Sequence, residues 1–262
     1  VAVSCDGQRW FLINASPDIR EQLGAFPPLH PSAAPIRNSP LEAILLTNAD
    51  LDHVAGILFL REGDPLHLHT SAVVRECLMG SLGFARLLDA FCGVVWHETP
   101  LLDWAPLPLR DGSASSLAYR VIPLPSPPPV FDSATHGTEP TMAFLIKDEQ
   151  TGGVLLVAPD VSEVTPALAN ALQGTDAVLF DGTFWSEDEL GNVRTGGRRA
   201  AAMGHLPIQK GSLDVLARCP ARRRIYLHMN NTNPILKPDS PERKTVESAG
   251  IEIAHDGMEL EL

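Results

Sequence analysis

Cysteine is scarce, and none of the four residues, Cys5, Cys77, Cys92 and Cys219, stands in a C-x-x-C pair or at zinc-finger spacing. That excludes a zinc-finger module and, in a chain of 262 residues, a disulfide framework. Scattered buried thiols in a reducing compartment are expected instead. An excess of positive charge is also lacking: 20 Lys and Arg against 32 Asp and Glu leave a net charge of −12. Nucleic acid and anionic membranes demand a basic face, so neither is expected as a partner. No apolar run reaches the roughly 20 residues that span a bilayer. Repeats are absent, and no linker is long enough to divide domains. What is present is a 44% share of hydrophobic residues, ordinary for a packed core and too high for disorder.

Along the chain, "VAVSCDGQRWFLIN" predicts a hairpin around an Asp-Gly turn. Ser16-Pro17 predicts a helix start, with Ser as N-cap. "EAILLT" and "PLHLHT" read as strands, "VAGILFLRE" and "SAVVRECLMGSLGFARLLDAF" as helices. "SLAYRVIPLP" reads as a strand and "SPPPVFDSATHGTEP" as a loop. Beyond it, "TMAFLIKDEQTGGVLLVAPD" predicts a second hairpin, "TPALANALQG" a helix, "DAVLFDGT" a buried strand and "RRRIYLHMNNTNP" a strand running into a polar loop. "SPERKTVESAG" predicts a helix capped by Ser240 and stopped at Gly250, and "IEIAHDGMELEL" a closing hairpin. This mixture of hairpins and strand–helix units favours an α+β arrangement, two sheets with helices outside, over a doubly wound parallel sheet.

The apolar strands end in polar stretches that carry the chemistry. The first, "LLTNADLDHVAGILFLRE", places Asn48, Asp50, Asp52 and His53 between a buried strand and a helix. "TNADLDHVAG" resembles T-H-x-H-x-D-H-x-x-G, the metal-binding motif of the metallo-β-lactamase fold. Thr47, Asp52, His53 and Gly56 are kept, and both early histidines are replaced, by Asn48 and Asp50. With "NASPDIREQL", "LFLREG", "VLFDGTFW", "MGHLPI", "NNTNPILKPDSPER" and "AHDGMELEL", the chain resembles the pyrroloquinoline quinone (PQQ) biosynthesis protein B family from its first strand to its last residue.

The resemblance implies one metallo-β-lactamase-like αββα sandwich over residues 1–262, a cytoplasmic place among the other proteins of PQQ biosynthesis, and no part for nucleic acid or membrane; a homodimer is compatible with it. The family begins with a Gly-rich strand and a cysteine cluster that binds a structural zinc. Neither is in this sequence, so an N-terminally truncated chain without that zinc is expected. In this fold one metal position uses the two early histidines and the other uses the Asp-His pair with a last histidine. The first is therefore expected to be crippled, and the second to keep Asp52, His53 and His228. Two histidines and a carboxylate on one face are the usual holder of non-haem Fe(II) in oxygenases. The implied reaction is iron-dependent hydroxylation of the tyrosine ring of a Glu–Tyr-derived PQQ precursor. Two other readings stay open: a carrier that assists PQQ transport without chemistry, and a hydrolase using one zinc.

Around that triad, Asn48 and Asp50 are candidates for orienting substrate or water, weighed equally against a loop that holds backbone groups. His205 is a candidate for lining the site. Asp181 is a candidate anchor at a strand end. Asp160 is a candidate extra carboxylate, with a strand-end turn as the favoured reading; it stands where the family has Gly. His67 and His69 read as surface or strand residues, and His136 as a weak ligand candidate in the Pro-rich loop. Arg198-Arg199 and Arg222-Arg223-Arg224 could attract a polycarboxylate precursor, although a solvated charge run is the more frequent case.

Overall fold

The computed structural model describes residues 1–32, 38–129, 131 and 141–262. His136 and most of the Pro-rich loop lie outside the described residues. The chain forms two compact units, the first of residues 1–121 and 128–142 and the second of residues 122–127 and 143–262.

The first unit opens with β1 (Ala2–Val3) and β2 (Trp10–Ile13), antiparallel as the Asp-Gly turn predicts. Helix α1 (Ile19–Ala25) starts later than the sequence suggests. Asp18 is its N-cap, and the Ser16 hydroxyl is buried with no hydrogen-bond partner. The apolar run β3 (Leu41–Leu45) is buried beside β2, and α2 (Leu51–Val54) is a single turn that tightens into a 3₁₀ stretch over Ala55–Phe59. Strand β4 (Leu66–Thr70) follows. The long helix expected next divides into α3 (Ala72–Met79) and α4 (Phe84–Asp89), because Gly83 takes a φ of +68° that a side chain resists. Strand β5 (Val94–Glu98) closes a five-stranded sheet in the order β1-β2-β3-β4-β5, parallel from β2 onward. Leu12, Ile44, Leu46, Val54, Ile57 and Leu68 fill the core of this unit. β6 (Ala105–Pro108) pairs antiparallel with β7 (Ala114–Leu124), whose last three residues belong to the second unit.

β8 (Thr141–Asp148), whose first two residues belong to the first unit, and β9 (Val154–Ala158) form the expected hairpin. Helix α5 (Pro166–Leu172) is capped by the Thr165 hydroxyl, which accepts from the Leu168 N–H. Strand β10 (Ala177–Asp181) is buried at every residue and lies parallel to β9. α6 (Glu189–Val193), α7 (Leu213–Ala217), β11 (Arg223–Leu227), α8 (Pro241–Ser248) and β12 (Glu252–Ile253) complete the second unit. Ser240 caps α8 as expected, accepting from the Arg243 N–H. The closing hairpin does not form: β12 is two residues long and runs parallel to β11. Chain direction explains it, since α8 returns the chain to the start of β11, and an αβ return of this kind produces parallel neighbours.

Within this unit the parallel strands β9, β10 and β11 end at one edge, so the segments after Ala158, Asp181 and Leu227 gather there. Ligands in open α/β sheets bind at the carboxyl ends of parallel strands for this reason. Among the described residues no helix is long and apolar enough to cross a membrane. The cysteines are free, two of them buried and Cys5 exposed, so the expected buried thiols hold only in part.

Candidate metal centre

In the first unit the motif loop leaves β3 and turns into α2. Asn14, at the end of β2, adopts a φ of +60°, which Asn tolerates better than most residues. Its backbone N–H donates to Leu45 O at 2.9 Å, and its side-chain Oδ1 accepts from the Thr47 N–H at 2.9 Å. That fixes the amide's orientation. The amide nitrogen then points at Thr47 Oγ1 (2.9 Å) and His53 Nδ1 (2.8 Å). Thr47 Oγ1 lies 2.9 Å from the same ring nitrogen. The amide nitrogen can only donate, so it favours an accepting Nδ1 with the proton on Nε2, while the Thr47 hydroxyl can serve Nδ1 in either role.

The backbone holds His53 as closely. Its carbonyl accepts from the Ala15 N–H at 2.7 Å, and Gly56 N–H donates to Ala15 O at 2.9 Å. A Cβ on Gly56 would sit 2.2 Å from Ser16 O, so only glycine lets α2 approach this strand end. His53 is buried and Asp52 exposed on the same turn. Asn48 is buried, and its Oδ1 accepts from the Asp50 N–H at 3.0 Å, the backbone-holding arrangement. Asp50 is the N-cap of α2, without a side-chain capping bond.

In the second unit the centre is Asp181, 1% exposed at the end of β10. One of its oxygens, Oδ1, accepts from the Thr183 N–H at 3.0 Å and the Thr183 hydroxyl at 2.6 Å. The other, Oδ2, accepts from the Val161 N–H at 3.0 Å and from His205 Nδ1 at 2.8 Å. An ionised carboxylate only accepts, so Nδ1 of His205 carries the proton facing it and Nε2 points away. The Thr183 hydroxyl spends its hydrogen on Asp181 and so accepts from His228 Nδ1, 2.8 Å away. His228 is thereby set in the same tautomer. His228 follows β11 with a φ of +59°, a conformation that costs a non-glycine residue about 1 kcal/mol or more. Gly182 allows the close approach: a Cβ there would lie 2.9 Å from Tyr226 Cβ and 3.0 Å from Leu227 O.

Asp160, which the sequence favours as a turn residue, stands within this group. Its Oδ1 is 3.7 Å from His205 Nδ1 and 3.6 Å from His228 Nδ1. Asp160, His205 and His228 each offer a ligand atom, and the three atoms lie within 4.8 Å of one another. Burial pushes the His205 pKa down, but the charge and hydrogen bond of Asp181, with the charge of Asp160, outweigh it, and the net direction is upward.

Of the sequence candidates, then, Asp160, Asp181, His205 and His228 meet in the second unit, and Asn48, Asp50, Asp52 and His53 share one loop and helical turn in the first. Asn14 and Thr183 were not singled out from sequence; their signals were "INAS" and "FDGT", each a polar pair ending a buried strand. His67 and His69 lie elsewhere, on β4 as strand residues, with His69 buried. Two of the three clustered arginines serve the fold: Arg223 makes a two-point pair with Glu252, and Arg224 donates to Gly250 O.

The β-lactamase superfamily domain model matches residues 9–229. A coenzyme PQQ synthesis protein B of Methylobacterium nodulans is 41% identical over 272 residues, covering 100% of this chain and 86% of that protein. Its counterpart in Methylococcus capsulatus is 38% identical over 273 residues, with the same coverage, 100% and 86%. Among solved structures, Zn²⁺-bound PqqB from Methylobacterium extorquens matches with a TM-score of 0.86 at 37% identity, over 100% of this chain and 86% of that one.

Proposed function

The chain belongs to the coenzyme PQQ synthesis protein B family, within the β-lactamase superfamily, and from that premise we propose that it is a metal-dependent hydroxylase of PQQ synthesis. Its part in making PQQ follows the family. The reaction we assign is insertion of one oxygen atom of O₂ into the tyrosine ring of a Glu–Tyr-derived precursor, in the cytoplasm. The second oxygen atom leaves as water, with two electrons from an external reductant. Asp52, His53 and His228 are the residues we assign to the metal, and Fe(II) held by two imidazoles and a carboxylate would supply the activation of O₂.

One observation carries the fit: the Thr183 hydroxyl, engaged by Asp181, stands against His228 Nδ1 and so can leave Nε2 for a cation, while Nδ1 of His53 is occupied by Thr47 and Asn14, which leaves Nε2 as its outward nitrogen. Asn48 is consistent with the same reading, since its carbonyl oxygen accepts from the Asp50 N–H and so holds the loop. Asn14 holds the Thr47 end of the pair, and Asp181 the Thr183 end. The chain's own work is to hold both rings in place while the ring of the precursor is presented.

The test is to load the protein with Fe(II) without air, add precursor, reductant and O₂, and follow the precursor's mass. A gain of one oxygen atom that Asp52→Ala abolishes supports the hydroxylase. Bound metal with no gain overturns it. Asp52→Ala that keeps quinone binding and cellular PQQ formation would favour a carrier. A zinc hydrolase is the second reading, favoured by the Zn²⁺ in the solved PqqB relative. Turnover of lactone or phosphodiester substrates with Zn(II) and none with Fe(II) would establish it.

A further inference from the structure

The polar run Asn230 to Asn233 follows His228 and is tied to the segment after β10, all within the second unit. We propose that Glu189 is a positioning residue for His228, acting through Thr232 and Asn230. What the ring is held for rests on the hydroxylase reading, whereas its placement can be measured apart from any reaction.

The need arises at His228 itself. A φ of +59° is disfavoured for a residue with a side chain and persists only where the surroundings over-determine it. Two backbone bonds bracket the bend. Before it, Gly182 N–H donates to Leu227 O at 2.8 Å; after it, Asn230 N–H donates to Thr183 O at 3.1 Å. Asn233, 1% exposed, grips the same strand end, its amide nitrogen donating to Gly182 O at 2.8 Å and to Thr183 O at 3.3 Å. The loop that follows His228 thus holds Thr183 by its carbonyl, and the Thr183 hydroxyl stands 2.8 Å from His228 Nδ1. The circuit closes on the ring.

Glu189 anchors the outer side of that circuit. It lies in the first turn of α6 and is buried. A carboxylate withdrawn from water is costly unless hydrogen bonds replace the water. Here Oε2 accepts from the Trp185 N–H at 2.6 Å, and Oε1 accepts from the Thr232 hydroxyl. A carboxylate only accepts, so the Thr232 hydrogen points at Glu189 and the Thr232 oxygen is left to accept in turn. The Asn230 side chain donates to that oxygen at 2.6 Å. Asn230 is therefore held twice, by Thr232 at its side chain and by Thr183 at its backbone, two residues beyond the bend.

The test uses the full chain with Thr232→Val, which keeps the shape and removes the hydroxyl, and Thr232→Ser, which restores it. The first readout is the ring ¹⁵N shifts of His228 in the metal-free protein. In Thr232→Val the two ring nitrogens should draw together in shift as the ring loses its fixed seat against Thr183, and Thr232→Ser should return them. The second is Co(II) affinity, by competition with a chromophoric chelator. It should weaken about 10-fold in Thr232→Val, the lower end of what outer support contributes, and recover in Thr232→Ser. Chemical unfolding is followed alongside. A Thr232→Val protein that loses stability while the His228 shifts stay as in the parent overturns the proposal, because the threonine then serves the fold alone. Ring movement that Thr232→Ser does not reverse overturns it too. Should Thr232→Val not fold, Glu189→Gln takes its place, turning one oxygen into a donor facing the Thr232 hydroxyl, and the same readouts decide. His228→Gln separates this proposal from the hydroxylase reading. If it leaves Co(II) affinity unchanged, His228 holds no metal and that assignment fails, while the ring shifts still decide the positioning. If it weakens affinity and Thr232→Val does not, Glu189 has no part in the metal's hold and the proposal is overturned.

Discussion

The Asp181 carboxylate and the His205 ring meet at 2.8 Å, both buried, and the carboxylate's other oxygen takes the Thr183 hydroxyl that supports His228. One residue at the end of β10 thus sets the tautomer of two imidazoles and ties down the Val161 backbone. Asp181→Asn keeps the shape but turns one oxygen into a donor, facing donors. Metal affinity is expected to fall about 10- to 100-fold, the usual cost of losing such outer support. Competition titration with a chromophoric chelator measures it. Unchanged affinity would mean that the rings orient themselves without this carboxylate.

A second imidazole group stands on β4 and β5. His69 stacks on His97 with ring centroids 4.4 Å apart and bonds Tyr119 Oη at 2.9 Å. Burial, with His97 and His67 adding repulsion, pushes the His69 pKa from 6.5 down to about 3. The unfolded chain therefore takes a proton near pH 6.5 that the folded chain refuses until about pH 3. Between those values the unfolded state binds more protons, so stability falls as the pH drops. The slope from this residue is at most about 1.4 kcal/mol per pH unit. His67 and His97, also lowered by burial, act in the same direction. Urea unfolding from pH 7 to 4 should show the loss, and His69→Gln should flatten it. A slope identical in the variant would assign the acid sensitivity to other groups.

The legible parts of this molecule were those written in periodicity and caps. β3 and β10 are apolar runs, and Ser240-Pro241 starts α8 as its chemistry dictates. The break between α3 and α4 was hidden because Gly83 interrupts a stretch whose apolar pattern continues through it. The closing hairpin failed because an Asp-Gly pair signals a turn but cannot supply a second strand. At the site, the Asp52-His53 pair stood out by motif, whereas Asp160 did not. Its significance is a matter of where β9 ends relative to β10 and β11, and strand pairing over such distances leaves no local pattern. Asn14 and Thr183 were hidden for the same reason, since each acts by supporting a histidine far along the chain.

Gly56 offers a direct probe of the packing that carries His53. A methyl group there would meet Ser16 O at 2.2 Å and Ala15 O at 2.6 Å, both backbone atoms that cannot rotate aside. Gly56→Ala must push α2 off the end of β2 and stretch the Gly56 N–H to Ala15 O bond of 2.9 Å. A destabilisation of at least about 2–3 kcal/mol is expected, in the range of overpacking with a lost hydrogen bond. Thermal unfolding measures it. A variant as stable as the parent would mean that this strand end yields more readily than its contacts suggest.

Asn14 combines two burdens that a pair of substitutions can separate. Its backbone holds a φ of +60°, and its side chain bonds Thr47 and faces His53 Nδ1. Asn14→Gly removes the bonds and relieves the backbone; Asn14→Ala removes the bonds and keeps the steric cost of a Cβ. Both should lose stability through the unpaired Thr47 N–H, by about 1–3 kcal/mol. The alanine variant should lose about 1 kcal/mol more, the cost of a left-handed residue other than Gly or Asn. Chemical unfolding gives both numbers. If the two variants are equally stable, the positive φ is not a burden and the hydrogen bonds alone account for the asparagine. If the glycine variant is as stable as the parent, the amide does nothing for the fold, and its place beside His53 must be explained by the ring's tautomer alone. The ring should then respond even where stability does not: the Nδ1 and Nε2 ¹⁵N shifts of His53 in the metal-free protein report which nitrogen carries the proton, and removing the amide donor should move that balance toward protonated Nδ1.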